Sequence, residues 1–466
     1  MTATNLAREP AVSPIDPGTL QALREVESEL DARWPETKLE PSIDRIAALA
    51  DLLGDPQHAS PVIHVAGTNG KTSTSRMIDS LLTRIGLRTG RFTSPHLQMV
   101  TERISLDGAP IDPSRYVATY HDVQPYVSLV DSRSDVRMSK FEVLTGMAFA
   151  AFADAPVDVA VVEVGLGGTW DATNIVDAAV AVISPVDIDH TEFLGTEITA
   201  IAAEKAGIIK QGSLVVLAEQ RAEVADVIAN RCAEMNARCV RFGIDFGVLA
   251  AETAVGGQLL RLQGLGGVYE EIFLPLHGAH QAANAALALA AVEMFFGAGD
   301  QRQLDIEAVR AAFAAVASPG RLERVRSAPT ILLDAAHNPH GARALATALA
   351  DQFVFRKLIG VVSVMGDKDV KGILAALEPV LAEIVLTSNG SPRAMDADEL
   401  AGVALDVFGS DRIVVEPRLD DAIETAVSLA EQTDAPNEPV AGAGVVVTGS
   451  VVTAGAARAL FGKEPA

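Results

Sequence analysis

The chemistry in this chain is plainest at Gly67-Thr68-Asn69-Gly70-Lys71-Thr72-Ser73. Two glycines and a lysine directly before a helical pattern read as a phosphate-binding turn, in which free amide N–H groups and a helix N-terminus face an anion. Lys71 adds a mobile positive charge for the β- and γ-phosphates, and the hydroxyls of Thr72 and Ser73 add donors or a metal contact. Val65 stands where the general pattern places its first glycine, so the motif is met only in part. The reading is an ATP site.

Three further groups sit where strands are expected to end: Ser94, Glu163 and His190. In an open parallel sheet, ligands bind beyond the carboxyl ends of the strands, so all three can converge with Lys71 on one nucleotide. Taken singly, a serine before proline is a cap and a histidine is a satisfied loop residue. As Mg²⁺ ligands, Asp187 and Asp189 suit a hard cation better than His190 does. Asp171 and Asn174 follow the glycine turn Gly165-Leu166-Gly167-Gly168, which lets backbone approach a ligand. Trp170 either stacks on a flat heterocycle or is an ordinary core or surface tryptophan. Phe141 alone reads as helix core, and Asn284 as a polar residue at a helix start. Arg321, beside Ser318-Pro319-Gly320, either grips phosphate or makes a boundary salt bridge.

The elements that must position these groups are legible from periodicity. Val62–Ala66 is a β-branched strand before the turn; Met77, Ile78, Leu81, Leu82 and Ile85 then recur at helical spacing to a stop at Gly86. Helices are expected over 20–34, 43–53 and 141–152, and strands over 88–93 and 101–106. Near-continuous apolar runs at 157–164 and 178–183 mark strands buried on both faces. Residues 241–275, with scattered glycines, read as small hairpins on the edge of the domain. A helix over 284–296 and another after it lead to Ser318-Pro319-Gly320, the expected boundary. The pattern then restarts: strand 330–334, helix 341–350, strand 358–364, helix 371–382, strands 383–387 and 444–448, and a last helix. The fold class is therefore α/β: a P-loop doubly wound, mostly parallel sheet plus a smaller Rossmann-like domain. Residues 1–318 form the first domain, with a loose tail at 1–18 and the insertion at 241–275, and 319–466 form the second.

Composition narrows the function. At 466 residues, two domains are the default, and a formal charge of −24 argues against nucleic-acid binding. Two cysteines, Cys232 and Cys239, are too few for a disulfide framework and read as idle thiols. Neither a signal peptide nor a bilayer-length apolar run is evident, so a cytoplasmic protein is expected; a monomer is a separate expectation.

The turn G-T-N-G-K-T-S resembles the shortened P-loop of the Mur ligase superfamily, which makes amide bonds at the expense of ATP. Within it, 46–57 (I-A-A-L-A-D-L-L-G-D-P-Q), T-S-P-H-L, T-E-R-I and G-S-V-V-T-A-G at 449–455 resemble the folylpolyglutamate synthase/dihydrofolate synthase family over nearly the whole chain. The resemblance implies ATP and Mg²⁺, with a monovalent cation as a further candidate. It implies metal ligation by Ser94, Glu163 and His190. Nucleotide contacts fall to residues 67–73 and, further along, to Asn284, Arg321, Asp334 and His337. Acceptor contacts fall to Ser139, Lys140, Phe141, Glu142, Trp170, Asp171 and Ala172. The implied reaction transfers the γ-phosphate to a carboxylate of dihydropteroate or a folate, and the amine of L-glutamate attacks the acyl phosphate. The alternatives are another Mur-type ligase with a non-folate substrate and a regulatory NTP-binding switch.

Lys205 is a case of its own. Ile198, Ile201, Ile208 and Ile209 are expected to share its helical face. It is then either a snorkelling stem or an amine whose desolvation lowers its pKa enough to react with CO₂. The match of E-K-A-G-I to the family implies the second, an N6-carboxylysine.

Overall fold

The computed structural model describes residues 15–33, 40, 42–297, 302–432 and 442–465. Its first sheet has eight strands. In chain order they are β1 Val62–Ala66, β2 Thr89–Phe92, β3 Ile104–Leu106, β4 Ala109–Pro110, β5 Val159–Glu163, β6 Val180–Ile183, β7 Leu214–Leu217 and β8 Arg238–Arg241. In space the order is β4-β3-β2-β5-β1-β6-β7-β8. The strands from β2 to β8 are mutually parallel, while β3 and β4 fold back antiparallel at one edge. Every residue of β1, β5 and β6 is buried, as their Val- and Ala-rich runs require of strands covered on both faces.

The segment 241–275 forms the expected hairpins but does not keep to the edge of the domain. β8 belongs to the main sheet, and β9 Gly247–Ala254, β10 Gly257–Gln263 and β11 Val268–Leu274 form a separate antiparallel sheet. This sheet is no peripheral decoration. Leu260, Leu262, Tyr269, Ile272 and Leu274 join one core with Ile63, Val65 and the helix Ala279–Phe295. That helix starts five residues earlier than expected, at Ala279, and is apolar all round because it is enclosed by both sheets.

A second sheet of six strands follows: β12 Glu323–Ser327, β13 Thr330–Leu333, β14 Lys357–Val362, β15 Glu383–Ser388, β16 Ile413–Arg418 and β17 Ala443–Thr448. Their order is β12-β13-β17-β14-β15-β16, parallel except for β12. The expected fold class is borne out.

Smaller differences have local causes. Helix Pro17–Asp31 begins within the stretch read as a loose tail, because Asp16 accepts from Thr19 N at 3.1 Å and Pro17 suits the first turn. Residues 1–14 of that tail, and Trp34, lie outside the described residues. The strand expected at 101–106 starts only at Ile104. Val100–Arg103 is a 3₁₀ turn, folded by Glu102 accepting from the amides of Leu97, Gln98 and Met99 at 2.7, 3.1 and 3.2 Å. Helix 371–382 is shorter than expected and stops at Leu377, before Pro379. Cys232 and Cys239 are free thiols. Among the described residues no helix is long and apolar enough to cross a membrane.

Candidate active site

Because β2, β5, β1 and β6 run parallel, the loops at their carboxyl ends open on one edge of the first sheet. Those loops carry Ser94, Gly165–Asp171, residues 67–70, and Asp187 to His190. The carboxyl ends of β13, β14 and β17 in the second sheet carry Asp334, Lys368 and Ser450. Both sets line one cavity of about 1460 Å³.

The glycine turn owes its shape to contacts as much as to composition. Val65, in place of the usual first glycine, is a fully buried β1 residue paired with Glu163, so the strand continues through the position where the general pattern has a glycine. Gly67 has φ +141°, and a Cβ there would lie 1.9 Å from Ser184 Oγ. Gly70, φ +86°, faces Asn284 so closely that a Cβ would sit 2.7 Å from its Oδ1. Lys71 opens the helix Lys71–Ile85 and donates to the carbonyls of Gly67 and Thr68 at 3.1 and 3.2 Å. Thr72 donates to Glu163 Oε1 at 3.0 Å, and the Ser73 hydroxyl pairs with that of Ser318 at 3.1 Å.

Glu163 is 1% exposed. Its Oε2 is buried without a hydrogen-bond partner. Burial pushes its carboxyl up to about 7 against the pull of Lys71, Thr72, Arg321 and the Ser94 amide. An orphaned carboxylate oxygen at that position is costly unless a cation meets it. His190 has φ +52°. Its side chain is 39% exposed, yet desolvation in the surrounding cleft, with Lys368, Lys71 and His337 nearby, holds it down to about 3 against Asp189, so it is neutral near pH 7. Hydroxyl, carboxylate and neutral imidazole thus fit a divalent cation. Among the described residues, no three His, Cys, Asp or Glu side chains form a metal cage of their own.

The two aspartates favoured on physical grounds as metal ligands are engaged elsewhere. Asp187 pairs with Arg221 at 3.1 Å and Arg343 at 3.3 Å. Asp189 takes Lys368 at 2.7 Å and Asn338 at 2.9 Å, with His337 Nε2 at 3.6 Å. Burial would raise its carboxyl, but His337, His190 and Lys368 outweigh that and hold it well below the usual range. Both carboxylates tie the first sheet to the second.

Lys205 is 4% exposed and donates to Gly67 O at 2.9 Å. Burial, with Lys71 nearby, lowers its amine to about 7. The shared apolar face does not hold as expected. Helix Ile198–Lys205 ends at this residue and a 3₁₀ turn carries Ile208, so the P-loop backbone, not a long helical stripe, encloses the amine.

On the far side of the cavity, Ser139 caps the helix Lys140–Asp154. Its hydroxyl accepts from Glu142 N at 3.2 Å, and Ser139 N donates to Glu142 Oε2 at 2.7 Å. Glu142 also pairs with Arg45 at 2.9 Å, an acceptor-side residue that carried no sequence signal. Phe141 packs on Gly165, where a Cβ would lie 2.4 Å from the ring. Asp171 accepts from Leu166 N and Thr173 N at 2.9 Å each, so it folds the loop that presents Trp170 and Ala172. Lys140 is outside the lining and pairs with Asp31 at 2.5 Å. Gly67 and Lys205 lie behind the lining. From the second sheet come Arg321, His337 and Asp334; Asp334 accepts from Leu322 N at 3.0 Å and Ala336 N at 2.9 Å. Asn338 and His340, in the same A-A-H-N-P-H stretch, bond to Asn69 at 3.1 and 2.7 Å and were not anticipated.

Two mostly parallel sheets meeting over a glycine–lysine turn form a nucleotide site enclosed from both sides. Residues 65–292 match the Mur ligase middle domain, and residues 320–450 match the Mur ligase, glutamate ligase domain. The chain is 58% identical to a Mycobacterium tuberculosis dihydrofolate synthase/folylpolyglutamate synthase, over 96% of each. It matches M. tuberculosis folylpolyglutamate synthase complexed with ADP at a TM-score of 0.92 and 57% identity, over 96% of this chain and 100% of that one. Escherichia coli FolC in complex with DHPP and ADP matches at a TM-score of 0.81 and 29% identity, over 98% and 99%. The chain belongs to the dihydrofolate synthase/folylpolyglutamate synthase family of Mur ligases, and it is an ATP-dependent ligase.

Proposed function

We propose that the protein joins L-glutamate to a reduced folate, and to dihydropteroate, by way of an acyl phosphate. One observation carries the reading. A single cavity runs unbroken from Lys71 to Phe141 and Trp170, so one chamber spans the sites for nucleotide and flat acceptor. A monomer as the working unit and a cytoplasmic setting belong to the same proposal.

Lys71 swings from the Gly67 and Thr68 carbonyls to the phosphates and offsets charge on the transferring phosphoryl group. Residues 67–73 cradle the phosphates, with Asn284 against Gly70. Arg321, Asp334 and His337 complete the nucleotide site from the second sheet, so catalysis depends on closure of the cleft. Ser139, Phe141, Glu142, Trp170, Asp171 and Ala172 shape the acceptor side; Lys140 contributes through its Asp31 pair. Ser94, Glu163 and His190 would hold Mg²⁺, which when bound supplies Lewis-acid stabilisation of phosphate charge. A monovalent cation is a further candidate for the phosphate site.

Lys205 is proposed to be an N6-carboxylysine. A buried amine lowered to about 7 has the neutral fraction that reaction with CO₂ needs. Lys205→Ala then loses most turnover, and added short carboxylates restore part of it. Failure of every short carboxylate to rescue a folded variant would leave Lys205 a structural cation. ADP release, measured with and without pteroate and glutamate, tests the whole reading. Release that ignores both would point to an NTP-driven switch instead, and release dependent on another acceptor to a different Mur-type ligase.

A further inference from the structure

The loop Gly165–Trp170 lies across the end of the helix Ile198–Lys205, and one residue of that helix holds it. Glu204 Oε1 accepts from Gly168 N at 3.2 Å and Trp170 N at 3.4 Å. Its carbonyl accepts from Thr169 N at 3.0 Å and from the Thr169 hydroxyl at 3.2 Å. The contact is tight enough to dictate glycine on both sides. A Cβ on Gly168 would fall 2.5 Å from Glu204 O, and one on Gly207 would fall 2.0 Å from Thr169 Oγ1. Gly167, φ +75°, leaves no room for a Cβ between Trp170 and Glu204. The next residue, Lys205, donates to the P-loop carbonyl of Gly67. One helix end therefore grips two loops, the phosphate turn through Lys205 and the tryptophan loop through Glu204.

We infer that Glu204 is a positioning residue that sets Trp170 for the flat acceptor, leaving nucleotide binding to other groups. Glu204 Oε1 gathers two backbone amides, at 3.2 and 3.4 Å, and so directs the loop just where Trp170 lines the cavity. Glu204 is set back from the reacting groups and acts through the loop. The inference rests on the ligase reading above for the identity of the acceptor.

The test uses the full-length protein with Trp34→Phe, which leaves Trp170 as the sole remaining tryptophan of the two in the chain. In Glu204→Ala, the KM for the pteridine acceptor is expected to rise about tenfold, with the ATP KM unchanged within about twofold. Glu204→Gln, which keeps an oxygen acceptor, should stay within about threefold of the parent. Without ligand, Trp170 emission should shift to the red in Glu204→Ala as the amides of Gly168 and Trp170 lose their acceptor, while Thr169 keeps its bonds to the main-chain carbonyl. Gly168→Ala provides a second route to the same displacement, through backbone collision, and should reproduce the acceptor defect. An unchanged acceptor KM together with unchanged Trp170 emission, in whichever of the two variants folds, would overturn the inference. So would an ATP KM that rises in parallel. If the parent releases no ADP with any pteridine, the ligase reading fails, while the ligand-free Trp170 emission still decides the role of Glu204.

Discussion

At the scale of single residues, the site contains charges whose states are decided by what surrounds them. Lys71 and Lys205 both donate to Gly67 O, at 3.1 and 2.9 Å, so two lysine nitrogens share one carbonyl at the mouth of the phosphate turn. Lys71→Ala is expected to cut ligase turnover by about a thousandfold or more while leaving the melting temperature near that of the wild type. Near-normal turnover in the folded variant would take the turn out of the mechanism. Glu163 carries the opposite problem, an enclosed carboxylate with one oxygen unpaired. Glu163→Gln should raise the Mg²⁺ concentration for half-maximal ADP release about tenfold or more, since a neutral amide is a poor ligand for a hard cation. The same substitution should not lower stability, because it removes a buried charge. An unchanged Mg²⁺ titration would make Glu163 structural.

At the scale of elements, β1 couples the core to the site, and its one polar residue gives it a pH dependence. His64 is fully buried, with Nε2 2.8 Å from Thr173 Oγ1. Burial, with Lys210 nearby, lowers its imidazole from 6.5 to about 3. The unfolded chain therefore takes up a proton near pH 6.5 that the folded chain refuses until about pH 3. The resulting stability is complete above pH 6.5 and is lost progressively as pH falls towards 3. In urea titrations at pH 6 and pH 5, His64→Gln should flatten the slope by one proton, about 1.4 kcal/mol per pH unit. Identical slopes in the two proteins would mean that His64 titrates normally.

At the scale of the whole molecule, the two sheets are joined through the same loops that build the site. Asn69 bonds to Asn338 and His340, and Asp189 pairs with Lys368, both side chains of that pair being under a tenth exposed. Removing one member of a buried pair leaves the other charge poorly compensated. Lys368→Met is expected to cost about 3 kcal/mol of stability or to open the cleft, seen as a larger radius of gyration in solution scattering. Adding Asp189→Asn should recover part of that cost, because the uncompensated charge is then gone. Strict additivity of the two substitutions would mean that the pair is not coupled.

The sequence by itself determined most of the central strands, the phosphate turn and the family, while β7, β8, β12 and β16 went unread. Alternation and apolar runs are local, and Gly67, Gly70 and Lys71 lie within a few residues of one another. It also pointed to Ser94, Glu163 and His190, because a strand end is visible as the end of an apolar run. Less local matters were out of reach. The segment 241–275 read as edge hairpins because nothing in its own residues says that Leu260 and Tyr269 will pack beneath the helix Ala279–Phe295. Asp187 and Asp189 looked like metal ligands until their partners, Arg343 on the helix Pro339–Gln352 and Lys368 in the loop after β14, arrived from more than 150 residues away. Lys205 was legible as a buried amine, but the carbonyl that encloses it is 138 residues distant. Only tertiary structure decides which charges are already paired, because pairing is a property of distance in space, and spacing along the chain carries no record of it.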